Sequence, residues 1–328
     1  MNAAAQAMGR NVQRIDRTRR LLLIPAVCAV ATLLIAGCPQ VDSVTDFTDS
    51  TGSGAAAAQS SPGASGNSPS PAADNASGSS VPFQNQPSPD PVIANPSVPA
   101  LPARALRVVT LGDSLTEGVG DESGTGGFPQ RLVQKIAASR AGSTVLNLGR
   151  SGWSSTDVIQ GMAGEANQID PAVAAKPDIA CLWIGSNDLW ALYEYGPDTG
   201  TTSAMETEDL NAYAANIETL LSRLQATGAT LYVALLDDQS LRPVIEDRFT
   251  LPNTTVAERA QMSAQVVRYN NVLIEAARRH NATVVDFYHT SIFTSNGTLD
   301  ADGIHPNAAG YDRIAEIWFA AMKQAIGQ

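Results

Sequence analysis

Residues 286–307, DFYHTSIFTSNGTLDADGIHPN, hold two of the chain's three histidines, and each follows an aspartate by three positions: Asp286 with His289, Asp302 with His305. A carboxylate three residues before a histidine on a turn can reach one ring nitrogen and fix the tautomer. The other nitrogen is then free to take a proton from a nucleophile. Histidine's reference pKa of about 6.5 suits it to accept and return that proton near neutrality. Of the two pairs, Asp302–His305 has the better setting. Gly303 permits a tight turn, Pro306 stiffens the chain beyond the histidine, and Asn307 can cap a following helix. His289 has no such frame and is expected in a loop or pocket wall, while His280, in EAARRHN, fits a cation near a helix C-terminus.

Three other stretches carry complementary chemistry. GDSLTEG (112–118) offers Ser114, a hydroxyl that becomes a nucleophile only beside a base. NLGRSGWSS (147–155) offers the backbone N–H of Gly152, and GSNDLW (185–190) the uncharged amide donor of Asn187. An acyl-transfer site needs such donors aimed at the oxyanion of its tetrahedral intermediate. Taken singly, Ser114 is equally a turn former, Gly152 a turn, and Asn187 a cap for a helix starting at Asp188. No Gly-Lys-Ser/Thr follows Ser114, and GVGDESGTGG does not have dinucleotide-binding spacing.

The elements that must position these residues read as alternating strands and helices. LRVVTL (106–111), TVLNL (144–148), IACLWIG (179–185), TLYVALL (230–236) and TVVDF (283–287) are buried-strand patterns. Leu210, Tyr213, Ile217, Leu220, Leu221 and Leu224 share a helical face that ends at Gly228. Val266, Val267, Asn270, Leu273, Ile274 and Ala277 trace a second face, and Ile314, Ile317, Trp318, Ala321 and Ala325 a third. Five strands separated by helices predict a parallel sheet covered on both faces. Ligands of such sheets sit beyond the carboxyl ends of the strands. The stretches with Ser114, Gly152 and Asn187 follow the first three strands directly.

In order along the chain, GDSL with Ser114, then Gly152, then GSND with Asn187, then DGIHPN with Asp302 and His305 resemble the four blocks of the SGNH (GDSL) hydrolase superfamily, over residues 105–328. The resemblance implies a flavodoxin-like three-layer α/β/α sandwich on a five-stranded parallel sheet. It also implies a serine esterase or acylhydrolase with neither metal nor organic cofactor. By position, Ser114 is the nucleophile, His305 the base and Asp302 its orienting acid, with the Ser114 N–H, the Gly152 N–H and the Asn187 side chain as oxyanion hole. The expected substrates are carboxylic esters such as acyl lipids or acetylated sugars. An acyltransferase would use the same residues, and a noncatalytic surface lipoprotein binding carbohydrate or lipid would keep only the fold. Trp153 and Trp190, with Tyr193 and Tyr195, adjoin two of the blocks and are expected either to line the acyl or alcohol side of the substrate pocket or to belong to the core, whereas Trp183 lies mid-strand and reads as core. Polar insertions at 196–209 and 237–255 are expected to shape a cleft or lid, or else to be exposed loops.

The remaining chain reads as address and tether. Residues 1–37 combine Arg10, Arg14, Arg17, Arg19 and Arg20 with the apolar run LLLIPAVCAVATLLIAG, a signal peptide rather than a stable span. It ends in IAGC, which resembles the bacterial lipobox, so Cys38 is expected to be diacylated and to anchor the protein at the cell envelope. Pro39 after it favours an outer membrane if the cell has one. Residues 38–104 are rich in Ser, Pro, Ala and Gly, too poor in apolar residues to offset ordering entropy, and are expected to form a disordered tether. Some 65 such residues span about 45 Å r.m.s.. Losing the signal's five arginines and Asp16 moves the formal charge from −11 to −15, which argues against nucleic-acid binding. Cys181 would then be the one cysteine of the domain, so no disulfide framework is expected.

Overall fold

The computed structural model describes residues 95–98, 100–162, 164–194, 196–197, 200–247 and 254–328. The expected signal peptide, Cys38, most of the tether, Tyr195 and the tip of the 237–255 insertion lie outside the described residues. Among the described residues no helix is long and apolar enough to cross a membrane.

All five expected strands form: β1 (Arg107–Gly112), β2 (Thr144–Asn147), β3 (Ile179–Trp183), β4 (Thr230–Ala234) and β5 (Thr283–Val285). They pair in parallel in the order β2-β1-β3-β4-β5. β3 is buried at every position, as a central strand covered on both faces must be. The helices are α1 (Ser114–Glu117), α2 (Gly127–Ala137), α3 (Ser155–Gln160), α4 (Ile169–Ala174), α5 (Ser186–Tyr193), α6 (Ser203–Gln225), α7 (Val256–His280) and α8 (Ala308–Ile326). α2 and α8 pack together on one face of the sheet, and α6 and α7 pack together on the other with α3, α4 and α5. The strand order is flavodoxin-like. It reverses between β1 and β3, the crevice where such sheets take their ligands.

Each face has an aromatic core. Trp183, at the end of β3, stacks on Phe287 at 4.3 Å, and Phe128 of α2 stacks on Trp318 of α8 at 5.4 Å. On the other face Tyr213 of α6 stacks on Tyr269 of α7 at 4.1 Å. Of the two readings open for Trp153 and Trp190, the structure puts both indoles in the hydrophobic core, 2% and 8% exposed.

Three further differences have physical causes. Residues 203–209, expected in a polar loop, form the first turns of α6. Thr202 caps them by accepting from the Met205 N–H, and Glu206 turns inward to accept from the Tyr193 hydroxyl at 2.9 Å. The described part of the 237–255 insertion is largely buried, folded into 3-10 turns at Gln239–Leu241 and Pro243–Glu246. The compact domain also starts before residue 105. The Asn95 side chain donates to the Val284 carbonyl (3.2 Å) and accepts from its N–H (2.8 Å), Leu101 N–H donates to the Ala325 carbonyl, and Arg104 grips Asp178 with both guanidinium arms. Backbone groups, one amide and one ion pair make these contacts, so apolar periodicity carries no trace of them.

Candidate active site

β1 delivers Gly112, Asp113 and Ser114 to the sheet's carboxyl edge. Gly112 sits where a Cβ would come within 2.2 Å of the Trp183 carbonyl oxygen, so the chain can pass β3 only as glycine. Its N–H donates to Gln168 Oε1 (2.9 Å) and its carbonyl accepts from Gln168 Nε2 (2.8 Å), so a side-chain amide holds the strand end. Asp113 caps α1 by accepting from the Leu115 N–H at 3.0 Å. Burial pushes the Asp113 carboxyl up to about 6, against the pull of that N–H and of the charge on Arg242.

The base arrives from the turn before α8. Gly303 has φ +66, and Asp300 N–H donates to the His305 carbonyl across the turn. Asp302 Oδ1 accepts from the N–H groups of Ile304 (2.8 Å) and His305 (2.9 Å), while its Oδ2 lies 2.5 Å from His305 Nδ1. Nε2 of the same ring lies 2.9 Å from Ser114 Oγ. Partial burial raises the Asp302 carboxyl, but hydrogen bonds from the His305 ring and the two backbone N–H groups outweigh it and leave it below the usual carboxylate range. Asn307 caps α8 through the Gly310 N–H, so the turn is fixed on its far side as well. Gly120, at φ +87, lets the loop after α1 close on the histidine: a Cβ there would stand 2.9 Å from His305 Cβ and 2.7 Å from the Pro306 oxygen. Tyr311 Oη, donating to the Val119 carbonyl, and Glu122, accepting from the Ala308 N–H, tie that loop to α8.

The two remaining residues come from the turns after β2 and β3. Gly152 is in a left-handed turn whose Cβ direction meets nothing within 4 Å. Asn187 lies inside the first turn of α5, not at its cap, and its Nδ2 donates to the Trp153 carbonyl at 2.8 Å, which orients the amide; among the described residues its second hydrogen meets no protein acceptor. Among the described residues neither the Ser114 N–H nor the Gly152 N–H donates to a protein acceptor. A second layer holds the two turns together. Asp188 accepts from the Ser155 N–H (2.9 Å) and hydroxyl (2.6 Å), and Asn216 of α6 donates to the Ser155 hydroxyl.

His289 reproduces the local geometry of His305, with Nδ1 2.7 Å from Asp286 Oδ2, but its side chain is 43% exposed and no described bond joins it to Ser114. His280 ends α7, held between Glu218 and Gln225. Cys181 is buried, and burial pushes its thiol well up. Among the described residues no cluster of three or more His, Cys, Asp or Glu could hold a metal ion. Sequence reading missed Gln168, the Ser155–Asp188–Asn216 layer and Arg242. Ser155 and Asp188 fall inside the NLGRSGWSS and GSNDLW stretches and Arg242 inside the 237–255 insertion, whereas Gln168 and Asn216 lie in none of the motifs. The arrangement can activate a hydroxyl, with N–H donors grouped at the same sheet edge.

The family model described as "GDSL-like Lipase/Acylhydrolase family" matches residues 110–313. A protein of Ruminococcus flavefaciens described as a multidomain esterase is 24% identical over 259 residues, covering 70% of this chain and 30% of that protein. An acetylxylan esterase of Xylanibacter ruminicola is 25% identical over 232 residues, 69% of this chain and 45% of its own length. The chain thus spans less than half of either curated relative. Among solved structures, LAE5, an alpha/beta hydrolase enzyme from the metagenome of Lake Arreo, Spain, superposes with a TM-score of 0.48 at 22% identity, over 69% of this chain and 98% of that one.

Proposed function

This chain belongs to the GDSL-like lipase/acylhydrolase family, and on that basis we propose that it is a serine ester hydrolase. Ser114 is the nucleophile, His305 its base, Asp302 the carboxylate that orients the ring, and the Ser114 N–H, Gly152 N–H and Asn187 Nδ2 the oxyanion donors. The observation that carries this reading is the unbroken line from Asp302 Oδ2 through the His305 ring to Ser114 Oγ, with spans of 2.5 Å and 2.9 Å.

Ser114 Oγ attacks the ester carbonyl carbon as its proton passes to His305 Nε2, and Asp302 stabilises the imidazolium through Nδ1–H. The carbonyl oxygen becomes an oxyanion facing the three N–H donors. When the intermediate collapses, the alkoxide leaves with the proton from Nε2. Water, activated by the same nitrogen, then attacks the acyl-serine and releases the acid. The name of one curated relative, an acetylxylan esterase, supports acetylated xylan as substrate, with acyl lipids as the other class. The purified protein is tested on acetylated xylan and on a chain-length series of simple acyl esters. Acetate release from xylan, with rates falling as the acyl chain lengthens, is expected; a preference for long acyl chains selects the lipid class, and no turnover of any ester overturns the hydrolase reading.

We place the enzyme at the cell envelope through a diacylated Cys38, a reading supported by the IAGC tetrapeptide after an apolar run. Labelled fatty acid should enter the wild-type protein and not Cys38→Ser, and equal labelling of both would rule this out.

A further inference from the structure

The segment after β4 reaches the reaction centre from behind. Arg242 is 1% exposed. Its Nε and Nη2 make a bidentate pair with Asp237 at 2.8 and 2.7 Å, its Nη1 points to the Ile304 carbonyl at 3.4 Å, and its guanidinium lies 4.7 Å over the Phe293 ring. Ile304 is the residue between Gly303 and His305, so the contact falls on the turn that carries the base. One turn further on, Val244 N–H approaches the Gly303 carbonyl at 3.4 Å, and a Cβ on Gly303 would stand 3.0 Å from Val244 N. A buried guanidinium held by one carboxylate is costly to remove from water, and a hydrophobic pair would fill the same space with less expense. Its placement makes sense if the charge serves the neighbouring carboxylates.

We infer that Arg242 is a positioning residue of the reaction centre: it braces the Asp302–His305 turn through the Ile304 carbonyl and sets a fixed cation beside the Asp113 carboxylate next to Ser114. The inference rests on the Ser114–His305–Asp302 reading given above. Asp237 and Asp238 lie on the guanidinium's own segment, Asp113 at the α1 cap, and Asp302 on the turn it contacts. Asp238 is engaged by Ser263 of α7. Arg242 feels the charges of Asp237, Asp113 and Asp302, in that order. Asp113, already pushed up to about 6 by burial, is held from rising further in part by this cation. Without it Asp113 takes its proton at higher pH, and the carboxylate that caps the helix carrying Ser114 is neutralised.

The test compares Arg242→Lys, Arg242→Met and the double variant Asp237→Asn/Arg242→Met, which does not leave Asp237 as an unpaired buried charge. Each is assayed on p-nitrophenyl acetate across pH, with rates expressed per molecule titrated by a small phosphonate at Ser114 so that unfolded protein does not count. In Arg242→Met and in the double variant, kcat should fall roughly 10- to 100-fold, the scale for displacing a reacting group by about an ångström, with KM little changed. The acid limb of kcat/KM should move up by about one pH unit, the scale on which one nearby opposite charge acts. Arg242→Lys should lose rate yet keep the wild-type limb, since it keeps the charge and loses the fork. A folded double variant whose acid limb coincides with that of the wild type overturns the inference, whatever its kcat. Ser114→Ala and His305→Ala are run beside them: if those retain activity, it is the underlying assignment that has failed, not the role of Arg242.

Discussion

The two Asp-x-x-His pairs share one local geometry, and what separates them is what lies beyond the second ring nitrogen. At His305 it is Ser114 Oγ, 2.9 Å away in a buried setting; His289 is 43% exposed. Ser114→Ala is therefore expected to reduce esterase turnover by roughly 10⁴ or more, His305→Ala nearly as much, and the double variant little further, because groups acting as one unit are not additive. His289→Ala should keep most activity. Turnover of the three folded variants on one ester decides the matter, and a dead His289→Ala beside an active His305→Ala reverses the assignment. Asn187→Ala should lower kcat by about 10² to 10³ while leaving KM nearly unchanged, the usual scale for one oxyanion donor. Comparable losses in kcat and KM would instead mark Asn187 as a ground-state binding group. These residues were legible because each lies in a short contiguous motif whose chemistry is local. Gln168 and Arg242 were not, since the backbone groups they hold are 56 and 62 positions away in sequence.

The turns after β2 and β3 gain their fixed relation from the Asp188 carboxylate bridging to Ser155. Loss of hydration pushes Asp188 up to about 7, against the pull of the Ser155 donors. A carboxyl whose folded pKa lies above its unfolded value of 3.8 binds more protons in the folded state between the two values. Its contribution to stability is thus complete below about pH 4 and lost as pH rises through 7. Asp188→Asn keeps an oxygen acceptor and abolishes this titration. The melting temperature of the wild type should fall relative to that of Asp188→Asn from pH 5 to pH 8, and parallel pH profiles for the two proteins would show that the carboxyl stays ionised throughout. At this scale the five strands and the three long helices could be read from apolar periodicity. The short α3 and α4, of six residues each, give too little pattern to detect, and the first turns of α6 look polar because their inward residue is Glu206.

Across the whole molecule, the turns after β1, β2, β3 and β5 converge on one rim of the sheet, as parallel topology requires, and the chain enters by the other. Arg104 meets Asp178, just before β3, and Leu101 meets Ala325 near the end of α8. The residues 95–104 that make this entry could not be told from tether by composition. Two hydrogen bonds from Asn95, at about 1 kcal/mol each, imply that a chain starting at residue 105 melts on the order of 5 °C below one starting at 94. Differential scanning calorimetry of the two forms checks this, and equal melting temperatures would mean that the docked segment adds nothing. A further consequence concerns solubility. β5 is an outermost strand, and the outward-facing N–H and C=O of Val284 are those that Asn95 occupies. One asparagine amide thereby serves as an edge guard, occupying hydrogen-bonding groups on which a neighbouring chain could otherwise build a sixth strand. Asn95→Ala, like the chain begun at 105, should scatter more light with rising concentration than wild type at the same temperature, even while its catalytic rim stays intact.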